Sequence, residues 1–247
     1  MSIWTECHSQ GAPSSITNQL IRVVESQEQI ATTHLVDNSL DEQQLLEEML
    51  DVSKPIISIQ WQQQYHYLLF TPFRYPPLMY GSRFGTRSEP SLFYGSLSIE
   101  TAFSEMAYYR LLFWHHMETA PTDSLLTQHT RFGVGYKSDN AIKLYEAPYA
   151  SYTNLISNPS DYLAAQELGS EMREHGVELF EYKSARHEDG INVALYSPKN
   201  FTSKKPDYTC SCMCETKRES ISIKDNDKVY TYTLSQYLVN GELPRAA

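Results

Sequence analysis

The sequence predicts a mixed α+β domain in which strands dominate. Three observations lead there. Two segments repeat apolar residues at three- and four-residue spacings, as amphipathic helices do. Several short, aromatic-rich stretches are bounded by turn residues, as strands are. No internal repeat or low-complexity block offers an alternative architecture.

In chain order, residues 1–19 are polar and read as irregular. Ser39 to Lys54 reads as a short acidic helix, with Ser39-x-x-Glu42 as a capping box and Pro55 as its stop. Residues 1–60 are therefore expected to form an N-terminal extension that packs on the main domain. Tyr65–Phe70 and Ser91–Gly95 read as strands across a Pro-, Gly- and Arg-rich connection. Ser98–Met117 is a helix, with Ser98 as its start and Ile99, Ala102, Phe103, Met106 and Phe113 on one apolar face. Thr130–Tyr136 and Ala141–Tyr145 read as a strand pair across Ser138, Asp139 and Asn140. Ser160–His175 is a second helix with Gly176 just past its end. Val177–Lys183 and Ile191–Tyr196 are further strands, and the core is placed at residues 61–200. Residues 201–247 read as a polar tail that packs on or extends the core, with Lys228–Leu234 as an edge strand.

Composition narrows the function classes. The 247 residues suit one large domain or a domain with an appended segment, and a hydrophobic fraction of 41% supports a real core. A net charge of −10 argues against direct nucleic-acid binding, which needs a basic footprint, but leaves room for a small anion at a local cationic cluster. The N-terminus shows no secretory pattern, and runs such as Leu111–Trp114 are too short to span a bilayer, so a cytoplasmic protein without membrane contact is expected. Cys210, Cys212 and Cys214 alternate, which on a strand turns all three one way; free thiols fit better than a zinc site or a disulfide framework.

Three stretches have the residue types for chemistry. FRYPPLMYGSRFGTR (73–87) carries Arg74, Arg83 and Arg87 with no acidic residue among them, a candidate phosphate cradle because guanidinium groups grip phosphate oxygens two at a time. Its glycines Gly81 and Gly85 would let a backbone approach a ligand closely. In FYGSLSIETAFSEMAYYR (93–110), Tyr94 ends a strand and Glu105 stands at the border of the helix's apolar face. Arg110 is at the wrong offset to pair with Glu105 along the helix. A tyrosine and a carboxylate at one site suit glycosidic chemistry, the ring for stacking and the carboxylate to stabilise an oxocarbenium-like centre. In LFEYKSARHEDGINVALYSP (179–198), Ser184 and Arg186 follow a strand, where sites are commonly built, though Ser184 lacks the glycines of a nucleophile elbow. Taken singly, each has an ordinary structural reading: surface ion pairs, a helix-surface glutamate and a turn serine.

In this order the three stretches resemble the RES domain, named for its Arg, Glu and Ser. The matching elements are Arg74-Tyr75, Arg83-Phe84, Tyr94 with Thr101-Ala102-x-x-Glu105, and Tyr182-Lys183-Ser184-Ala185-Arg186 with Asn192-x-Ala194, across roughly residues 65–200. The resemblance implies an ADP-ribosyltransferase-like fold of mainly antiparallel sheets with flanking helices. It also implies an enzyme that destroys NAD⁺ by cleaving the nicotinamide–ribose bond, with water or inorganic phosphate as acceptor. NAD⁺ is then a substrate, and no further cofactor is implied. Family members are typically toxins paired with an Xre-like antitoxin, and a homodimer is expected. Carried onto this chain, Glu105 would steady the developing positive charge through a ribose hydroxyl. Arg74, helped by Arg83, would hold phosphate, with Arg186 a further substrate-binding residue. Tyr75 and Tyr94 would wall the nicotinamide pocket, and Ser184 would serve the ribose or acceptor site. Two other functions stay open: transfer of ADP-ribose to a protein or nucleotide, by an effector delivered into another cell, and a catalytically silent module binding a phosphorylated ligand.

Overall fold

The computed structural model describes residues 2–26, 59–75 and 79–245, together with Glu42, Leu45 and Met49. The three isolated residues are helical; the rest of the acidic helix expected at Ser39–Lys54, including its capping serine, lies outside the described residues.

The polar start of the chain is not irregular. Ile3–Cys7 forms a helical turn (α1), capped where the Ser2 hydroxyl accepts from the Thr5 N–H, and Ser14–Glu25 forms a long strand (β1). The helices Ile59–Gln64 (α2) and Tyr67–Phe70 (α3) precede strand Phe93–Ser96 (β2), helix Ile99–His115 (α4) and strand Leu125–Lys143 (β3). Then come helices Thr153–Ile156 (α5) and Leu163–Glu174 (α6), and strands Leu179–Lys183 (β4), Ile191–Leu195 (β5), Tyr208–Thr216 (β6), Ser220–Asp225 (β7) and Lys228–Thr233 (β8).

The eight strands form one mixed, mostly antiparallel sheet in the order β1-β2-β5-β4-β3-β6-β7-β8, with β3–β4 as the parallel pair. With its flanking helices this is the expected α+β class. β1 also pairs with β3 along most of its length, so β1, β2, β5, β4 and β3 close into a ring. Leu20, Phe93, Phe132, Val134, Tyr136, Leu179, Val193 and Leu195, drawn from all five strands, meet in one buried cluster. A second cluster packs α1 and α6 against Phe180, Tyr182 and Ala194, and a third packs Phe103, Ala107, Tyr108 and Leu111 of α4 against Cys212, Cys214, Ile221 and Ile223.

Three local expectations are corrected. Tyr65–Phe70 is not a strand: Leu68, Leu69 and Phe70 are buried in succession, which a helical turn allows and a half-exposed strand does not. Thr130–Tyr136 and Ala141–Tyr145 are not a hairpin. The expected turn at 138–140 is instead an irregularity inside one continuous strand: β1 pairs with Ser138 and Ala141 with a register shift between them, the Asn140 carbonyl accepts from the Glu178 N–H, and the Ser138 hydroxyl donates to Glu178 at 2.5 Å. Residues 208–225, read as polar tail, are two strands whose inward positions alternate with exposed ones. Lys228–Thr233 is the expected edge strand. Among the described residues no helix is long and apolar enough to cross a membrane.

Candidate active site

α4 begins where the sequence indicates. The Ser98 side chain accepts from the Thr101 N–H at 3.1 Å, a cap whose loss costs about 1 kcal/mol. The buried stripe differs somewhat from the expected one: Phe103, Ala107, Tyr108, Leu111 and Trp114 face inward, whereas Phe113 is 50% exposed. Glu105 is half-buried at the stripe's edge, over the row that Tyr182, Asn192 and Ser96 make across β4, β5 and β2.

Two neutral donors converge on one oxygen of Glu105. Ser184 Oγ donates to Oε1 at 2.6 Å, and Asn192 Nδ2 donates to the same atom at 2.6 Å. Oε2 has no hydrogen-bond partner among the described residues. Ser184 itself is fixed by the turn after β4, where its oxygen accepts from the N–H groups of Arg186 and His187 at 3.0 and 3.1 Å. The turn is tied to the first turn of α4, with His187 Nδ1 2.9 Å from Thr101 Oγ1. Gly190 lies so close beneath this contact that a Cβ there would stand 2.7 Å from the Thr101 side chain. Glutamate and serine, distant in sequence, are thus brought together by a strand end docked on a helix start.

The arginines sit around a second feature, the connection between α5 and α6. Arg83 Nη1 donates to the Asn158 carbonyl at 2.6 Å and, more weakly, to Ile156 at 3.4 Å; Arg186 Nη2 donates to the Pro159 carbonyl at 2.6 Å. The Asn158 side chain satisfies the N–H groups of Ser160 and Asp161, which stiffens this connection from within. Each guanidinium also lies on a tyrosine face, Arg83 on Tyr162 at 4.3 Å and Arg186 on Tyr108 at 3.5 Å. Among the described residues neither arginine forms an ion pair with a carboxylate. Carbonyl dipoles and rings orient these cations without neutralising them.

Tyrosines fill the remaining space. The Tyr94 hydroxyl is committed to the 82–85 loop: it shares a hydrogen bond with Ser82 Oγ at 2.8 Å and accepts from the Phe84 N–H at 3.2 Å. Burial pushes the Tyr94 phenol up, so it stays protonated. Burial does the same to Tyr182, reinforced by Glu105, and Tyr94, Arg83 and Tyr109 lie within electrostatic reach of its hydroxyl. Tyr109 is 56% exposed, with Glu105, Tyr108, Tyr162 and Arg186 in reach of its hydroxyl. The close approach that Gly81 permits is the loop's own: at φ +76°, a Cβ there would meet the Gly85 carbonyl at 2.3 Å.

Arg74 and Tyr75 lie in the turn that follows α3. The Arg74 N–H closes a 3-10 turn on the Thr71 carbonyl, and its side chain is half-buried. Tyr75 is exposed, and its carbonyl accepts from Ser91 Oγ just ahead of β2. The structure brings Glu105, Ser184, Arg83, Arg186 and Tyr94 to one region; sequence reasoning named Asn192 only as part of the pattern, without a role, and missed Tyr108, Tyr109 and Tyr162 as neighbours. It also missed Arg22 of β1, which lies over the Phe93 ring and donates to the Tyr94 carbonyl at 2.7 Å; burial lowers this guanidinium to about 10. A polar asparagine in an otherwise apolar strand, INVAL, was the available signal for Asn192.

No curated protein matches the chain. The family model for the RES domain matches residues 58–215, well over half of the chain, and that span holds the seven residues to which the resemblance gives roles. With glutamate, serine and arginines assembled as described, the chain belongs to the RES domain family, known from toxin-like, NAD-related proteins.

Proposed function

We propose that this protein cleaves the nicotinamide–ribose bond of NAD⁺, with water or inorganic phosphate as acceptor, and that it is the toxin of a pair whose antitoxin carries an Xre-like region. The observation that carries this reading is the Glu105 site: a carboxylate held through one oxygen by neutral donors, in a region where, among the described residues, its other oxygen has no hydrogen-bond partner and neither Arg83 nor Arg186 has a carboxylate of its own.

The chemistry asks little acid catalysis of the protein. Nicotinamide leaves as a neutral molecule because the electron pair of the breaking C1′–N bond cancels the pyridinium charge. The positive charge passes to the ribose, where a fixed carboxylate lowers the barrier by electrostatic stabilisation. In this reading Glu105 holds a ribose hydroxyl and faces the developing cation. Ser184 positions Glu105 and contacts the ribose or acceptor. Arg83 and Arg186, with Arg74 from the neighbouring turn, answer the diphosphate. The rings of Tyr94 and Tyr75 flank the nicotinamide. The acceptor oxygen then bonds to C1′, and water loses a proton in doing so.

Phosphorus and proton NMR of NAD⁺ with the purified protein, with and without inorganic phosphate, is the test. Release of free nicotinamide is expected, with ADP-ribose from water or its phosphorylated counterpart from phosphate. A folded preparation, free of any partner, that leaves NAD⁺ intact overturns the proposal.

A further inference from the structure

Ser96 and Asn192 are direct partners across β2 and β5, so their side chains leave the sheet on one face. Both are 4% exposed, and Ser96 Oγ donates to Asn192 Oδ1 at 2.7 Å. The amide's other end donates to Glu105 Oε1 at 2.6 Å. This direction is forced by chemistry. A hydroxyl can donate or accept, but an amide oxygen turned toward the carboxylate would set two acceptors against each other at that distance. Ser96 therefore holds the amide with its NH₂ toward Glu105.

We propose that Asn192, oriented by Ser96, is the positioning residue that aims the Glu105 carboxylate, occupying Oε1 and leaving Oε2 for the ligand. The proposal rests on the catalytic reading of Glu105. Ser184 shares Oε1, but it comes from a turn, whereas Asn192 lies within β5 and is paired on both sides, with Ser96 of β2 and Tyr182 of β4. Of the two donors, Asn192 is the one fixed by the sheet itself. A donor from a central strand limits the carboxylate's rotation more strictly than a turn can, and small errors of aim are costly when the group acts on a transition state.

The variant Asn192→Asp keeps the shape and the Ser96 hydrogen bond but sets a carboxylate against Glu105. Two carboxyls at such a distance share a proton. The acid limb of kcat/KM for NAD⁺ is expected to move up by at least about one pH unit. At neutral pH kcat should fall on the order of tenfold or more, with NAD⁺ affinity within about threefold of wild type. Asn192→Ala and Ser96→Ala should lower kcat in the same sense. A folded Asn192→Asp protein with an unmoved acid limb overturns the proposal, since two carboxyls at that distance must couple if position 192 faces the catalytic carboxylate. Carbon-13 titration of the glutamate carboxyls gives a readout independent of turnover, with the Glu105 signal assigned by its loss in Glu105→Gln. If wild type leaves NAD⁺ intact, the catalytic reading falls while this titration still decides the positioning. A Glu105 carboxyl that titrates identically in wild type and Asn192→Asp rules it out.

Discussion

α4 carries two charges five positions apart, half-buried Glu105 and buried Arg110, and the protein treats them in opposite ways. On the Arg110 side cations meet carboxylates. Arg110 lies 3.5 Å from Glu25 and donates to Thr216, and on the neighbouring strands Arg131 grips Asp225 through two nitrogens at 3.0 and 3.2 Å. On the Glu105 side each charge is held by neutral groups: hydroxyl and amide for the carboxylate, backbone carbonyls and tyrosine faces for the arginines. Pairing cancels charge and builds scaffold. Orientation without cancellation leaves a field for a ligand to complete.

If that division holds, the largest effect of any single change belongs to the scaffold side. Asp225→Ala strips the partner from a buried Arg131, and breaking such a pair typically costs about 3–5 kcal/mol. Urea unfolding should show this loss, while turnover per folded molecule at low temperature is kept. A loss below about 1 kcal/mol would mean that the clamp behaves like a surface pair, and the contrast would collapse.

Glu105→Gln comes next, with the opposite signature. The amide oxygen can still accept from Ser184 and Asn192, so the melting temperature should hold. The charge is gone, so kcat should fall on the order of a hundredfold or more with NAD⁺ affinity nearly unchanged. Normal turnover would make Glu105 part of the scaffold.

The site was more legible in the sequence than the sheet that carries it. Glu105 and Ser184 stand in short local patterns whose chemistry shows in residue type. β1 has no such label: SSITNQLIRVVE buries little besides Ile16 and Leu20, and its strand identity comes from pairing with β3, far along the chain. Likewise Ser138, Asp139 and Asn140 have turn chemistry, but distant groups hold them within the strand: Glu178 accepts from Ser138, Ser15 of β1 donates to Asp139, and the Gly176 carbonyl accepts from Asn140. Long-range pairing cannot be read from a local window. The family match starts after β1 and stops before β7 and β8, so these outer strands must be understood from packing alone.

A third change probes the uncompensated cations. Arg83→Lys keeps the charge but loses the planar guanidinium that stacks on Tyr162 while its Nη1 reaches the Asn158 carbonyl. Calorimetry should show NAD⁺ affinity reduced by roughly tenfold, the scale of one charge-assisted contact. The same substitution at Arg74 calibrates the result. Affinity lost with Arg74→Lys but kept with Arg83→Lys would move the phosphate site to the turn before β2.

The smallest effect returns to the scaffold side and to pH. His129 is 3% exposed on β3, with Arg110 and Glu25 the charged groups facing it. Burial lowers its pKa, the Arg110 cation adds to this, and Glu25 opposes it. The unfolded chain takes up this proton near about pH 6.5, and the native protein only at lower pH. Between those points the unfolded state binds more protons. Native stability is therefore full above the unfolded value and falls as pH drops through the window. The substitution His129→Gln removes the titration. Comparing urea midpoints at about pH 7.5 and about pH 5.5, wild type should lose more on acidification than the variant, because acid-labile contributions shared by both cancel. Equal losses would mean that His129 accepts its proton freely and that Arg110 does not oppose it. NMR titration of the His129 imidazole checks this even if the variant folds poorly: a transition at or above the unfolded value would break the argument. One more cation beside Arg110 is unfavourable, whereas on the other side Arg83 and Arg186, with no carboxylate partner among the described residues, are the cations that an added anion should stabilise.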